Sequence, residues 1–188
     1  MSLELVNAIA SVGTFLVIGA TAIAAVIQLR HMRANNQLEG LLNVLAHLED
    51  ESFNKWFTDT QRELPALLAD PAYLKSIRDG TFDRNVSWLQ LANRYERAGS
   101  LLKFGLIPEG PFLDVNDLRA IRAWELLVPL TSVLRSISGP SLWENFEYLY
   151  VRAKVWAEQH KDGNYPKGVP RAELPAFELP VAGRTLAR

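Results

Sequence analysis

Cysteine does not occur in the 188 residues. That excludes disulfides, thiolate zinc sites and cysteine nucleophiles. Histidine is scarce: His31, His47 and His160 are the only three. None stands in a recognised ligand pattern with a histidine or carboxylate one turn away, so they read as surface residues and no metal is expected. A Gly-x-Gly-x-x-Gly turn is missing. "GSLLKFG" (99–105) holds two glycines and a lysine but lies inside a helical pattern, so it is no phosphate loop. No serine or threonine sits in a nucleophile elbow. Glu49, Asp50 and Glu51 are adjacent and would point to different sides of a helix, so they cannot share a proton. No catalytic constellation and no cofactor emerge, and the chain reads as a non-enzyme. An excess of one charge is missing too: the net charge of −1 writes neither a nucleic-acid footprint nor a polybasic lipid patch into the chain.

Charge is absent altogether between Glu4 and Arg30. The apolar run Val6–Ile27 would span roughly 33 Å as a helix, against about 30 Å for the hydrocarbon core of a bilayer. Its few polar side chains include Ser11, Thr14 and Thr21, whose hydroxyls can return to a backbone carbonyl one turn earlier. Gly13 and Gly19 are costly in a soluble helix but common in spans. A cleaved signal would open with basic residues, carry an apolar core of about 7–15 residues and end at a small-x-small site. None of these fits, and a buried core helix would carry a polar stripe. The stretch therefore reads as a retained transmembrane helix. Arg30 and Arg33 flank it on one side only, which predicts a cytoplasmic C-terminal domain, an outside N-terminus and residence in the inner (plasma) membrane.

Beyond the span no Gly or Pro interrupts the chain from Ile27 to Leu38, and Leu38, Leu41, Leu42, Leu45 and Leu48 recur at spacings of three and four. One long helix is predicted to run from the membrane into the cytosol. A second helix carries Phe53, Trp56 and Phe57 and is predicted to stop near Pro65; a third starts at Asp70-Pro71 and stops at Gly80. Residues 84–104 form the clearest helix. One face collects Trp88, Leu91, Ala92, Tyr95, Ala98, Gly99 and Leu102, and Gly105 closes it. "IPEGP" reads as a turn, with Asp114 capping a helix that carries Leu118, Ile121, Trp124, Leu127 and Leu130 and is kinked at Pro129. Ser141 and Glu144 have capping-box spacing before a last helix carrying Leu142, Phe146, Leu149, Tyr150, Ala153 and Trp156. Prolines 166, 170, 175 and 180 then recur too closely for a helix or a central strand. The expected organisation is an anchor over 1–33, an all-α cytosolic helical domain over 34–161 and an extended tail over 162–188.

Two polar groups stand among apolar residues. "NRYERAG" places Glu96 and Arg97 beside the face of the central helix, and "SLWENFEYLYVRAKVW" places Glu147 and Arg152 among aromatics. Buried carboxylates need partners, for which Arg135 and Arg152 are candidates, so an ion-paired bundle core is the plainer expectation. The alternative is a small-ligand pocket lined by Trp88, Tyr95, Glu96 and Trp124, with Arg135, Glu147 and Arg152 near it.

"AVIQLRHMRANNQLEGLL" after the span, then "NRYERAGSLLKFGLIPEGPFLD", a Trp-bearing helix and "LWENFEYL" together resemble a family of small bacterial membrane-anchored proteins known only as a domain of unknown function. The resemblance covers residues 10–157 and rests on Gln28-Leu29-Arg30, Asn36-Gln37, Tyr95-Glu96, Gly105, Trp124, Trp143 and Asn145 to Glu147. It implies an N-terminal span and a cytosolic helical domain, and it brings no activity. Three functional readings follow: a membrane-anchored interaction or regulatory module with an unknown protein partner, a ligand-binding or weakly enzymatic helical domain, and an effector of stress or phage response that oligomerises. A stripe from Gly13 through Val17, Ala20, Ala24, Ile27, His31 and Ala34 to Leu38, Leu41, Leu45 and Leu48 could be the seam of a parallel homodimer. Its leucines could equally cover the protein's own domain.

Overall fold

A computed structural model describes residues 2–173 of the protein. Six helices make up its regular structure: α1 (Leu3–Glu49), α2 (Glu51–Ala69), α3 (Pro71–Asp79), α4 (Ser87–Lys103), α5 (Glu109–Ser138) and α6 (Glu144–Gln159). There is no strand among the described residues. The fold is all-α, a long apolar N-terminal helix leading into a helical domain. Residues 162–173 of the expected tail are exposed and form no helix; the rest of that tail, with Pro175 and Pro180, lies outside the described residues.

Helix α1 is unbroken over 47 residues, about 70 Å at 1.5 Å per residue. Among the described residues none of its most apolar window is buried, and Phe15 is 77% exposed. The Thr14 and Thr21 hydroxyls donate to the carbonyls of Ala10 and Val17 at 2.9 and 2.8 Å, so neither presents a free hydroxyl proton on the apolar surface. The helix meets the domain at Gln37, whose Nε2 donates to the Gly105 carbonyl at 3.0 Å. At Gly40 a Cβ would lie 3.4 Å from both Ile107 and the Leu106 carbonyl, so the α4–α5 connection lies in contact distance of α1 here. The leucines that follow divide. Leu41 and Leu48, with Val44, are buried in the domain, Leu45 is half-buried, and Leu38 and Leu42 stay exposed. The expected seam is therefore partly consumed: the domain lies on one side of the helix, about a quarter turn from Leu38.

Helix α4 lies at the centre, packed against α2, α5 and α6. Its seven buried residues are Trp88, Leu91, Ala92, Tyr95, Ala98, Gly99 and Leu102, the face expected from their spacing. Asp70 caps α3 through Ala72 N–H at 2.8 Å, and Gly80 and Gly105 hold the left-handed conformations that end α3 and follow α4.

Four boundaries differ from those the sequence predicts. α4 starts at Ser87, not at residue 84. α2 continues through Pro65 to Ala69. A proline inside a helix costs about 3 kcal/mol. Leu64, Leu67 and Leu68, on both sides of Pro65, pack on the core and offset it. α5 starts at Glu109, not at Asp114; Pro111 falls in its first turn, where backbone N–H groups have no helical acceptor anyway. Pro129 lies inside it, as expected, and the face it buries contains Ala120, Ala123, Trp124, Leu127 and Leu130, while Leu118 points outward. α6 has no capping box: the residue before it is Trp143, in the left-handed region at φ 54°, and no side chain of its own caps it.

At Gly99 the backbones of α4 and α6 come close together. A Cβ on Gly99 would lie 2.0 Å from the Asn145 carbonyl oxygen, which no contact tolerates. Gly99→Ala should therefore push α6 off α4 and lower stability by about 3 kcal/mol, measured by denaturant unfolding of the full chain followed through tryptophan fluorescence. Gly13→Ala, where nothing lies within 4 Å, should leave that transition where it is.

Candidate functional site

Glu96 sits one turn before Gly99 on the same face of α4. Because Gly99 lets the first turn of α6 settle onto α4, the Glu96 carboxylate reaches that turn. Its Oε2 accepts from the Phe146 backbone N–H at 2.8 Å, and its Oε1 accepts from the Asn145 side-chain amide at 2.7 Å. Phe146 N–H is one of the unpaired donors at a helix start, and a negative charge there also meets the positive end of the helix dipole. Lys103 adds Nζ contacts to Glu144 (3.2 Å) and to Asn145 Oδ1 (3.3 Å). From α5, Arg135 donates through Nε to the Leu142 carbonyl at 2.9 Å and pairs with Glu147 at 2.7 Å. Its guanidinium lies 5.6 Å over the Trp124 ring. Arg152 pairs with Glu109 at the start of α5 at 2.6 Å. These side chains lock α4, α5 and α6 together.

Tyr95 and Trp124 belong to an aromatic run through the middle of the domain. Phe53 meets Tyr95 edge-on at 5.4 Å, Tyr95 stacks on Phe146 at 4.8 Å, Phe146 meets Trp124 at 5.0 Å, and Trp124 stacks on Tyr150 at 5.7 Å. The Tyr95 hydroxyl is sealed without a hydrogen-bond partner, and burial holds its pKa well above the ordinary value for a phenol. Trp88 lies apart. Its Nε1 donates to the Tyr73 hydroxyl at 2.8 Å, and its ring touches Phe82 and Trp143. It forms one wall of a cleft of about 380 Å³ at the far end of the domain, with Phe82, Arg84, Asn93, Leu134 and Trp143 among the other walls. Tyr95, Glu96 and Trp124 do not reach that cleft. The four residues expected to line one pocket are thus distributed over the core, the α6 start and the distal cleft.

A second, smaller cleft lies between α1 and α4. Asn43, Val44, His47, Arg94, Arg97 and Leu101 are among its walls. Neither cleft follows from periodicity, since each is made by residues that meet only after the helices pack. Arg30 and Arg33 are exposed on α1, just beyond its apolar half. Among the described residues no group of three or more His, Asp or Glu side chains is placed to hold a metal ion.

The Glu96 contacts and the Tyr95 hydroxyl make opposite predictions. Glu96→Ala strands a buried backbone donor and an amide, and should cost about 1–3 kcal/mol; Glu96→Gln keeps an acceptor and should lose less. Tyr95→Phe removes only an unpaired hydroxyl and should leave stability equal or slightly raised. Chemical denaturation of the three variants beside the parent decides both.

No curated protein and no solved structure matches the chain. A family model does, over residues 15–153, a stretch holding the last half of the apolar run, the α1–domain joint and the whole α4–α5–α6 lock. Several residues that carried the resemblance in the sequence meet in space, Gln37 with Gly105 and Glu96 with Asn145. The chain belongs to the family described as Domain of unknown function (DUF4760).

Proposed function

We propose that this is a single-pass inner-membrane protein whose helical domain works on the cytoplasmic side as an interaction or regulatory module and not as an enzyme. The observation that carries this reading is the two-sided character of α1. Its first half is apolar and wholly without protein cover, while Leu41, Val44 and Leu48 of the same helix are core residues of the domain. A lipid bilayer is the solvent such a first half suits, and continuity makes anchor and domain one rigid piece. Arg30 and Arg33 sit where the positive-inside rule needs them for a cytoplasmic domain. The non-enzymatic part of the reading is supported by how the polar groups are used: Glu96, Glu147, Arg135 and Arg152 are engaged in joining helices.

A second copy is the partner this reading favours. Ala20, Ala24, Ile27, Leu38 and Leu42 remain exposed along one side of α1, small in the apolar half and leucine beyond it, as helices that approach closely in lipid require.

Two measurements test the proposal. Alkaline carbonate washing should leave the chain in the membrane pellet, and a reporter fused to its C-terminus should be active only in the cytoplasm; release by carbonate or an external reporter signal would overturn the anchor or its orientation. Single cysteines introduced at Val17 or Ala24 should crosslink into dimers in native membranes, and their failure to do so would remove the second copy while leaving the anchor standing.

A further inference from the structure

The cleft between α1 and α4 combines an apolar floor with a cationic rim. Its volume is about 170 Å³, well below the roughly 300–1,000 Å³ of sites for drug-sized ligands and several times the ~30 Å³ share of one water. Its floor is apolar, formed by Val44, Leu48, Ala98 and Leu101, and no carboxylate lines it. Its rim carries two arginines and an amide. Arg94 is held over the Trp56 ring at 5.3 Å, and its ion-pair neighbour among the described residues, Asp50, is as far as 4.0 Å away. Arg97 is exposed and has no ion-pair partner among the described residues. Asn43 faces them from α1, with its backbone carbonyl 2.7 Å from His47 Nδ1. α1 packs chiefly on α2, not α4, which is why the cleft stays open.

The geometry points to a binding site for a small phosphate monoester in this cleft, with Arg94 and Arg97 on the phosphate and the ester group on the apolar floor. Two guanidiniums on one helix face can hold a phosphate by charge-assisted bonds. The Asn43 amide can donate a further bond. A lipid headgroup is the other source of such chemistry, and distance argues against it. Asn43 lies 13 residues beyond Arg30, about 20 Å along a helix and still about 15 Å at a 40° tilt, past a headgroup layer some 5–7 Å thick. The ligand would join α4 to the helix that continues the span. That regulatory meaning rests on the anchor reading above; binding itself does not.

The test uses the full chain in phosphatidylcholine nanodiscs and phenyl phosphate as the probe, titrated calorimetrically. Co-elution with the discs reports the anchor and the titration reports the cleft, so the two readings can fail separately. Saturable binding is expected, with none for phenol. Arg97→Ala should weaken it about tenfold or more, the effect of losing one charge-assisted bond. Asn43→Leu, which fills the cleft from α1, should do the same, and Arg84→Ala in the distal cleft should change nothing. Absence of saturable heat up to about 10 mM probe, or equal binding by Arg97→Ala and the parent, overturns the site. Loss of binding when phosphatidylglycerol is added to the discs also overturns it, by assigning the arginines to lipid headgroups.

Discussion

The Glu96 carboxylate on the first turn of α6 is the contact on which the domain's arrangement depends. A helix start normally finds its acceptor within two or three residues of itself. Here the residues before α6 run Gly139-Pro140-Ser141-Leu142-Trp143 and supply no side-chain cap. The acceptor comes instead from another helix, 50 residues earlier. That is possible only because Gly99, one turn further on, has no side chain to hold the two helices apart. Close approach and cap are therefore one feature with two parts.

Trp143 shows the cost of this arrangement. A left-handed conformation in a residue with a Cβ is unfavourable by about 1–2 kcal/mol, and tryptophan has no local hydrogen bond to soften it. What offsets it is tertiary. The Trp143 indole is almost wholly buried and meets Trp88 edge-on at 6.1 Å, and burying a large apolar side chain contributes about 1.5–3 kcal/mol. Arg135 meanwhile fixes the preceding carbonyl of Leu142. The chain is thus held in its turn from both sides, and α6 is aimed along α4 so that Phe146 can stack on Tyr95.

Helix α1 solves a different problem. One continuous helix faces two surroundings, and its residues change with them. In the first half the hydroxyls of Thr14 and Thr21 are turned back onto the backbone. From Gln37 onward the side chains form hydrogen bonds and core contacts with the domain. No break in the helix intervenes, so α1 is tied to the domain through its packing on α2 and the Gln37–Gly105 contact.

Much of this was legible in the sequence where short-range periodicity or local chemistry decides the outcome. The seven buried residues of α4, the Asp70 cap, the stops at Gly80 and Gly105 and the apolar run that begins α1 each depend on neighbours within a turn or two. Tertiary packing decided the rest. Pro65 stays inside α2 because the leucines around it are buried, and a single proline's cost is smaller than their combined gain. Pro111 enters α5 because Glu109 can begin the helix where N–H groups are free. Leu41 goes to the core while Leu38 stays outside, because the domain occupies only one side of α1, and a leucine repeat does not say on which side its partner lies. Glu147 found Arg135, as its surroundings required, but Arg152 found Glu109, and Glu96 took no arginine at all. A carboxylate beside an apolar face demands a partner by its desolvation. Whether that partner is a guanidinium or an unpaired backbone N–H depends on which helix end the folded chain brings within 3 Å.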